Sequence, residues 1–155
     1  NNAMSNPLQA TKFGLPFRHV PTYLAGYYKY KAGDQFTEGG KPVEGKHDIC
    51  DIYAIMYETS VSVPTLDGTN AFTSPNLVSM ARIKDAKETD EWTYFKLPFT
   101  TLPGKFIDKE KLTMGKYNIS IVFTSSLEGD HFNGAIGSTL LIDEAELIYR
   151  SNLDH

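Results

Sequence analysis

No stretch of this chain repeats apolar residues at helical spacing over three turns; its apolar residues instead alternate with polar ones in short runs. That alternation constrains the fold more than any other feature, because a period of two puts successive side chains on opposite faces of a strand. Asp48 to Tyr57 (DICDIYAIMY) is the clearest case. Cys50, Ile52, Ala54 and Met56 fall on one face and make a small, apolar, core-like set. Asp51, Tyr53, Ile55 and Tyr57 fall on the other, where a charge and two tyrosines point to a groove or to solvent.

Other segments read the same way. Thr22 to Lys31 is a strand with tyrosines on both faces, ended by Gly33-Asp34, and a polar loop with Gly39-Gly40 and Pro42 follows. Leu77 to Ile83 is a strand and Lys84 to Asp90 a charged loop. In Trp92 to Phe99, Phe95, Leu97 and Phe99 face the core, with Trp92, Tyr94 and Lys96 opposite. Lys105 to Met114 is polar, with room for one short helical turn. Tyr117, Ile119, Ile121 and Phe123 share one face of the next strand, and Thr139 to Tyr149 forms the last. Lys12 to Phe17, broken by Pro16, suits an edge strand or an extended entry segment. Val61 and Val63 alternate with serines, and Leu66-Asp67-Gly68-Thr69 is a turn signal. Roughly seven or eight strands, separated by Gly/Asp/Pro loops, indicate an all-β sandwich or barrel, and the long loops favour a two-sheet antiparallel jelly roll.

The whole is one domain, 11–150, with a flexible lead-in over 1–10 and a tail over 151–155; Asn1-Asn2-Ala3 ahead of Met4 reads as a cloning remnant. A net charge of −4, with scattered lysines and arginines, argues against nucleic acid, which calls for a basic stripe. No apolar run approaches the roughly 18 residues of a membrane span. Cys50 is the only cysteine, so an intrachain disulfide is excluded.

Several segments then stand out as an ordered set: Gly26-Tyr27-Tyr28-Lys29-Tyr30, Cys50-Asp51-Ile52-Tyr53-Ala54, Leu66 to Asn70, Ser74-Pro75-Asn76, Glu91 to Phe95, Val122 to Ser126, Gly129 to Phe132, and Gly137 to Glu144. Together, across residues 12 to 150, they resemble the putative carbohydrate metabolism domain family, found at the C-terminal end of exported, often surface-anchored lipoproteins of gut-type Gram-negative bacteria. The resemblance implies a galactose-binding-like jelly roll similar to carbohydrate-binding modules, a location at the cell surface or in the periplasm, and fusion to N-terminal domains in a longer outer-membrane lipoprotein. It implies a glycan as partner and delivers no activity, since fold does not imply function.

Against that background Tyr27 and Lys29, Asp51, Tyr53 and Tyr57, and Trp92 and Tyr94 are candidate glycan-binding residues. Where such faces coincide, aromatic rings meet the apolar C–H faces of sugars while Asp, Lys and tyrosine hydroxyls meet their hydroxyls. The plainer alternative is that these aromatics only pack. Asp143, in Ile142-Asp143-Glu144, takes by resemblance the place of an acid that ligates a structural calcium; the alternative is a carboxylate bonded to a neighbouring loop. Asp48 and Asp51, like Asp143 and Glu144, diverge by their odd spacing and make no hydrolase pair within one strand. His47 and Asp130-His131 belong to no metal spacing. Cys50, on a core face, reads as a small hydrophobe. Three functions stay open: a non-catalytic glycan-binding accessory domain, an interaction module of a surface complex, and a glycoside hydrolase.

Overall fold

The computed structural model describes residues 9–14, 19–60, 72–128 and 133–150. Pro16, Val61, Val63, the Leu66–Thr69 turn and Asp130-His131 lie outside the described residues. The described chain is all-β with antiparallel pairing throughout. Its strands are β1 (Gln9–Gly14), β2 (Pro21–Lys31), β3 (Phe36–Glu38), β4 (Lys41–Pro42), β5 (Asp51–Glu58), β6 (Leu77–Arg82), β7 (Thr89–Pro98), β8 (Thr100–Thr101), β9 (Tyr117–Thr124), β10 (Gly134–Ala135) and β11 (Thr139–Tyr149). A five-stranded sheet has the order β1-β9-β5-β6-β8, and two three-stranded sheets run β11-β2-β7 and β10-β3-β4. β1 is an edge strand of the large sheet, as Lys12 to Phe17 led one to expect, although it begins at Gln9.

One apolar cluster joins the inward faces of the five-stranded sheet and the β11-β2-β7 sheet. Leu24, Tyr28 and Tyr30 of β2 and Phe95 and Leu97 of β7 meet Ile52, Ala54 and Met56 of β5 and Tyr117, Ile119 and Ile121 of β9. The alternation therefore puts the expected faces inside at β5, β7 and β9. Gly26 sits opposite Phe95, where a Cβ would come 2.8 Å from the ring tip; a bare backbone at that point lets the phenyl lie across β2.

Two local features differ from expectation or refine it. The Gly39-Gly40 segment is not a loop but the turn of the β3–β4 hairpin, with φ of 57° and 85° at the two glycines. Two successive positive φ values match the twist of the strands they join. The short helical turn is α1 (Lys109–Thr113), where the Asp108 carboxylate accepts the N–H groups of Glu110 and Lys111 and Leu112 is buried.

Candidate functional site

The outward face of the β11-β2-β7 sheet carries the largest gathering of exposed aromatic rings among the described residues. On the central strand Tyr23, Ala25, Tyr27, Lys29 and Lys31 alternate outward, opposite Leu24, Tyr28 and Tyr30 on the core side. The register then supplies the neighbours. Tyr27 lies between Tyr94 of β7 and Asp143 of β11; Ala25 lies between Lys96 and Glu146; Lys29 faces Leu141. The Tyr27 and Tyr94 rings are 5.2 Å apart and tilted. Lys29 Nζ stands 4.7 Å above the Trp92 ring and Lys96 Nζ 4.4 Å above that of Tyr23. Each ammonium thus covers a ring's electron-rich face while its aliphatic stem extends the apolar floor. Trp92 is 45% exposed and Tyr94 52%, so the strip is open to a ligand.

At the Lys31 end the strip runs into a depression of about 430 Å³. Lys29 and Lys31 line its middle, Glu88 and Asp90 one flank, and Thr139 and Leu141 the other. The Ala32 N–H donates to Glu88 Oε1 at 2.7 Å, tying the β6–β7 connection to the end of β2.

Of the seven candidate glycan-binding residues, Tyr27, Lys29, Trp92 and Tyr94 come together on this face. Asp51, Tyr53 and Tyr57 do not. They belong to the other sheet, and the expectation that their face of β5 meets a groove or solvent is corrected: all three are buried, Tyr57 completely. β5 lies between β9 and β6 in the five-stranded sheet, and its second face packs into an apolar cluster of its own with Leu77 and Val122. A strand buried on both faces shows no clean alternation of environment, however cleanly its residues alternate in type. The Asp51 carboxylate receives two parallel hydrogen bonds from Arg82, at 3.1 Å from Nε and 2.7 Å from the terminal nitrogen. The Arg82 guanidinium lies over Phe72 at 4.2 Å and over Tyr53 at 5.7 Å. Burial nevertheless holds the Asp51 carboxyl above the usual carboxylate range, outweighing the pull of Arg82 toward the ionised form.

Sequence reasoning did not single out Tyr23, Lys31, Lys96, Leu141, Glu88 or Asp90 as site residues. Tyr23, Lys31 and Lys96 could have been found from the spacing alone, since they share strand faces with Tyr27 and Lys29 or with Trp92 and Tyr94. The others required knowing that β2 is flanked by β7 and β11.

Asp143 is exposed on the strip, next to a β-bulge between Asp143 and Glu146 in which Glu144 takes a φ of 51°. Its Oδ1 accepts the Glu144 N–H at 2.9 Å. Among the described residues no group of three or more His, Cys, Asp or Glu side chains could hold a metal ion, so Asp143 is not joined there by a cluster of other acids. Asp48 is buried and serves as a structural acceptor, its Oδ2 taking the Ala135 N–H at 2.9 Å. His47 is exposed. The Cys50 thiol is buried on the core face and pushed up to about 12, foremost by that burial. Thiol reagents at pH 8 should therefore leave the native protein unlabelled and react fully only after denaturation; rapid labelling of the folded protein would show that the core opens at β5.

Among the described residues no helix is long and apolar enough to cross a membrane. The chain is 89% identical over 97% of its length to a crystal structure described as a putative glycoside hydrolase from Bacteroides thetaiotaomicron VPI-5482, with a TM-score of 0.86. It is 48% identical over 90% of its length to another described in the same words, from Bacteroides vulgatus ATCC 8482, with a TM-score of 0.79. It spans 44% and 56% of those two chains and so corresponds to part of each longer protein. No curated protein matches it. Residues 1–148 match the family described as the putative carbohydrate metabolism domain, and the chain belongs to that family.

Proposed function

We propose that the chain is a glycan-binding accessory domain of a longer carbohydrate-active protein, and that the glycan lies along the outward face of the β11-β2-β7 sheet. One observation carries this reading: Tyr27, Trp92 and Tyr94 form a continuous open aromatic strip with Lys29, Lys96 and Asp143 along it. Rings offer surface to the C–H faces of sugars, and the ammonium and carboxylate groups offer directional partners to hydroxyls. The fold in this reading is a jelly-roll sandwich. Its support is the nesting of the β5–β9 pair inside the β2–β11 pair, as in a rolled ribbon. The setting is the cell surface or periplasm, within a longer outer-membrane lipoprotein.

Binding is favoured over hydrolysis by the placement of the carboxylates. Glycoside hydrolysis uses two carboxyl groups flanking the scissile bond, one held protonated by a raised pKa. The carboxyl that burial raises here, Asp51, is engaged by Arg82 under the other sheet, away from the strip.

A glycan array read at millimolar sugar, with and without calcium, tests the proposal, followed by calorimetry on any hit. Trp92→Ala should weaken binding by about thirtyfold, the loss of roughly 2 kcal/mol typical of an aromatic anchor, and leave the unfolding midpoint within a degree or so of the parent. Calcium should make no difference. Silence across the array would transfer the strip to an interaction module, with its rings seated against another part of a surface complex.

A further inference from the structure

We propose that the depression at the Lys31 end of the strip holds one sugar unit of the bound chain, and that this sugar is uncharged; the inference rests on the strip being the glycan site. The depression is lined by two lysines and two acids that do not neutralise one another. The ion pairs among the described residues are Lys46 with Glu38 and Glu128, Arg82 with Asp51, and Lys111 with Glu58. None of them uses Lys29, Lys31, Glu88 or Asp90, all four of which line the depression. Glu88 spends one oxygen on the Ala32 N–H and keeps the other.

An ammonium only donates hydrogen bonds and a carboxylate only accepts them, whereas a hydroxyl does both. Vicinal hydroxyls on a neutral ring can therefore accept from Lys29 and Lys31 and donate to Glu88 and Asp90 at the same time. A uronate would gain the lysines and meet the acids; an amino sugar would do the reverse. Like charges brought together in a binding site select against such ligands.

The strip approaches the depression from the Trp92 side, through Lys29, which belongs to both. Thr139 and Leu141 line one flank and Glu88 and Asp90 the other. At about 430 Å³ the space lies near the lower end of small-ligand pockets and has room for a sugar unit or two.

The test titrates the purified domain calorimetrically with hexasaccharides of glucose, mannose, galactose and xylose, and with a galacturonate hexamer. The expected result is preference for one neutral hexamer, weakened about tenfold by Lys31→Met and by Asp90→Asn, since each removes a charged hydrogen-bond partner. The Thr139 and Leu141 amide resonances should shift together with the Trp92 indole. If Trp92→Ala removes binding while both depression variants stay within twofold of the parent, the inference fails and the strip stands. Preference for the galacturonate hexamer overturns the neutral ligand. Failure of every hexamer at millimolar concentration overturns both the inference and the strip.

Discussion

Asp48→Ala is expected to cost about 4 kcal/mol of folding stability, a large part of the 5–15 kcal/mol typical of a domain. The carboxylate is 6% exposed and accepts four hydrogen bonds. Its Oδ2 takes the hydroxyls of Ser126 and Ser138, the latter at 2.6 Å, and the Ala135 N–H at 2.9 Å, while Oδ1 takes the Ile49 N–H. Ser138 Oγ in turn accepts the Gly33 N–H at 3.0 Å. One carboxylate thus ties the approach to β5, the exit of β9, β10 and the start of β11 together, and through Ser138 reaches the end of β2. Alanine would leave the buried Ala135 N–H and three part-buried donors without their acceptor, at a desolvation cost of about 1–3 kcal/mol for a fully buried one. Asp48→Asn keeps the shape but turns an NH₂ toward donors and should cost about 2 kcal/mol. Urea unfolding measures both, and faster amide exchange at Ala135 should accompany the loss. A cost below about 1 kcal/mol for the alanine variant would mean that solvent replaces the carboxylate and that these segments are held by packing instead.

Arg82→Ala should cost about 3 kcal/mol at neutral pH, with a loss that shrinks on acidification. Arg82 itself is partly exposed, but its carboxylate partner is 5% exposed at the side chain. Removing the guanidinium strands an ionised group inside the protein, and that stranded charge, rather than the intrinsic worth of the pair, sets the effect. In the parent, burial already holds the Asp51 carboxyl above its ordinary value while Arg82 pulls it down. Without Arg82 it rises further. A folded-state pKa above the unfolded one means that the folded protein binds the proton more tightly. Its contribution is therefore fully present below the unfolded value and is lost as pH rises through the folded one. The gap between variant and parent should be widest near pH 7 and narrow steadily toward pH 4.5. A gap independent of pH would show that Arg82 acts by packing over Phe72 and Tyr53 and not through its charge.

Both substitutions fall on residues whose importance the sequence hides. Asp48 reads as a strand acid that diverges from Asp51, Asp51 reads as a glycan-binding candidate, and nothing in the sequence singles out Arg82. Their roles depend on partners distant in the chain: Asp48 meets Ser126, Ala135 and Ser138 across separations of 78, 87 and 90 residues, and Arg82 meets Asp51 across 31. The strands themselves were legible. Thr139 to Tyr149 forms β11 as read, and Phe95 and Leu97 point inward with Trp92 and Tyr94 outward. The short β3–β4 hairpin was missed because three- and two-residue strands carry too little alternation to register, although Gly39-Gly40 held the turn signal.

The division follows from the range over which each interaction acts. Which residues form strands, and which side of a strand is apolar, is settled within about ten residues by the two-residue period of the pleat, and the sequence alone determined it. Which strands lie side by side, and whether a second layer covers a face, depends on pairings across the whole chain, and only the tertiary structure decided that. Tyr27 and Tyr53 illustrate it: both are tyrosines on the polar face of an alternating strand. Tyr27 sits at the centre of a three-stranded sheet whose outward face stays open, 5.2 Å from Tyr94. Tyr53, on a strand buried on both sides, is 2% exposed beneath Arg82 and Phe72.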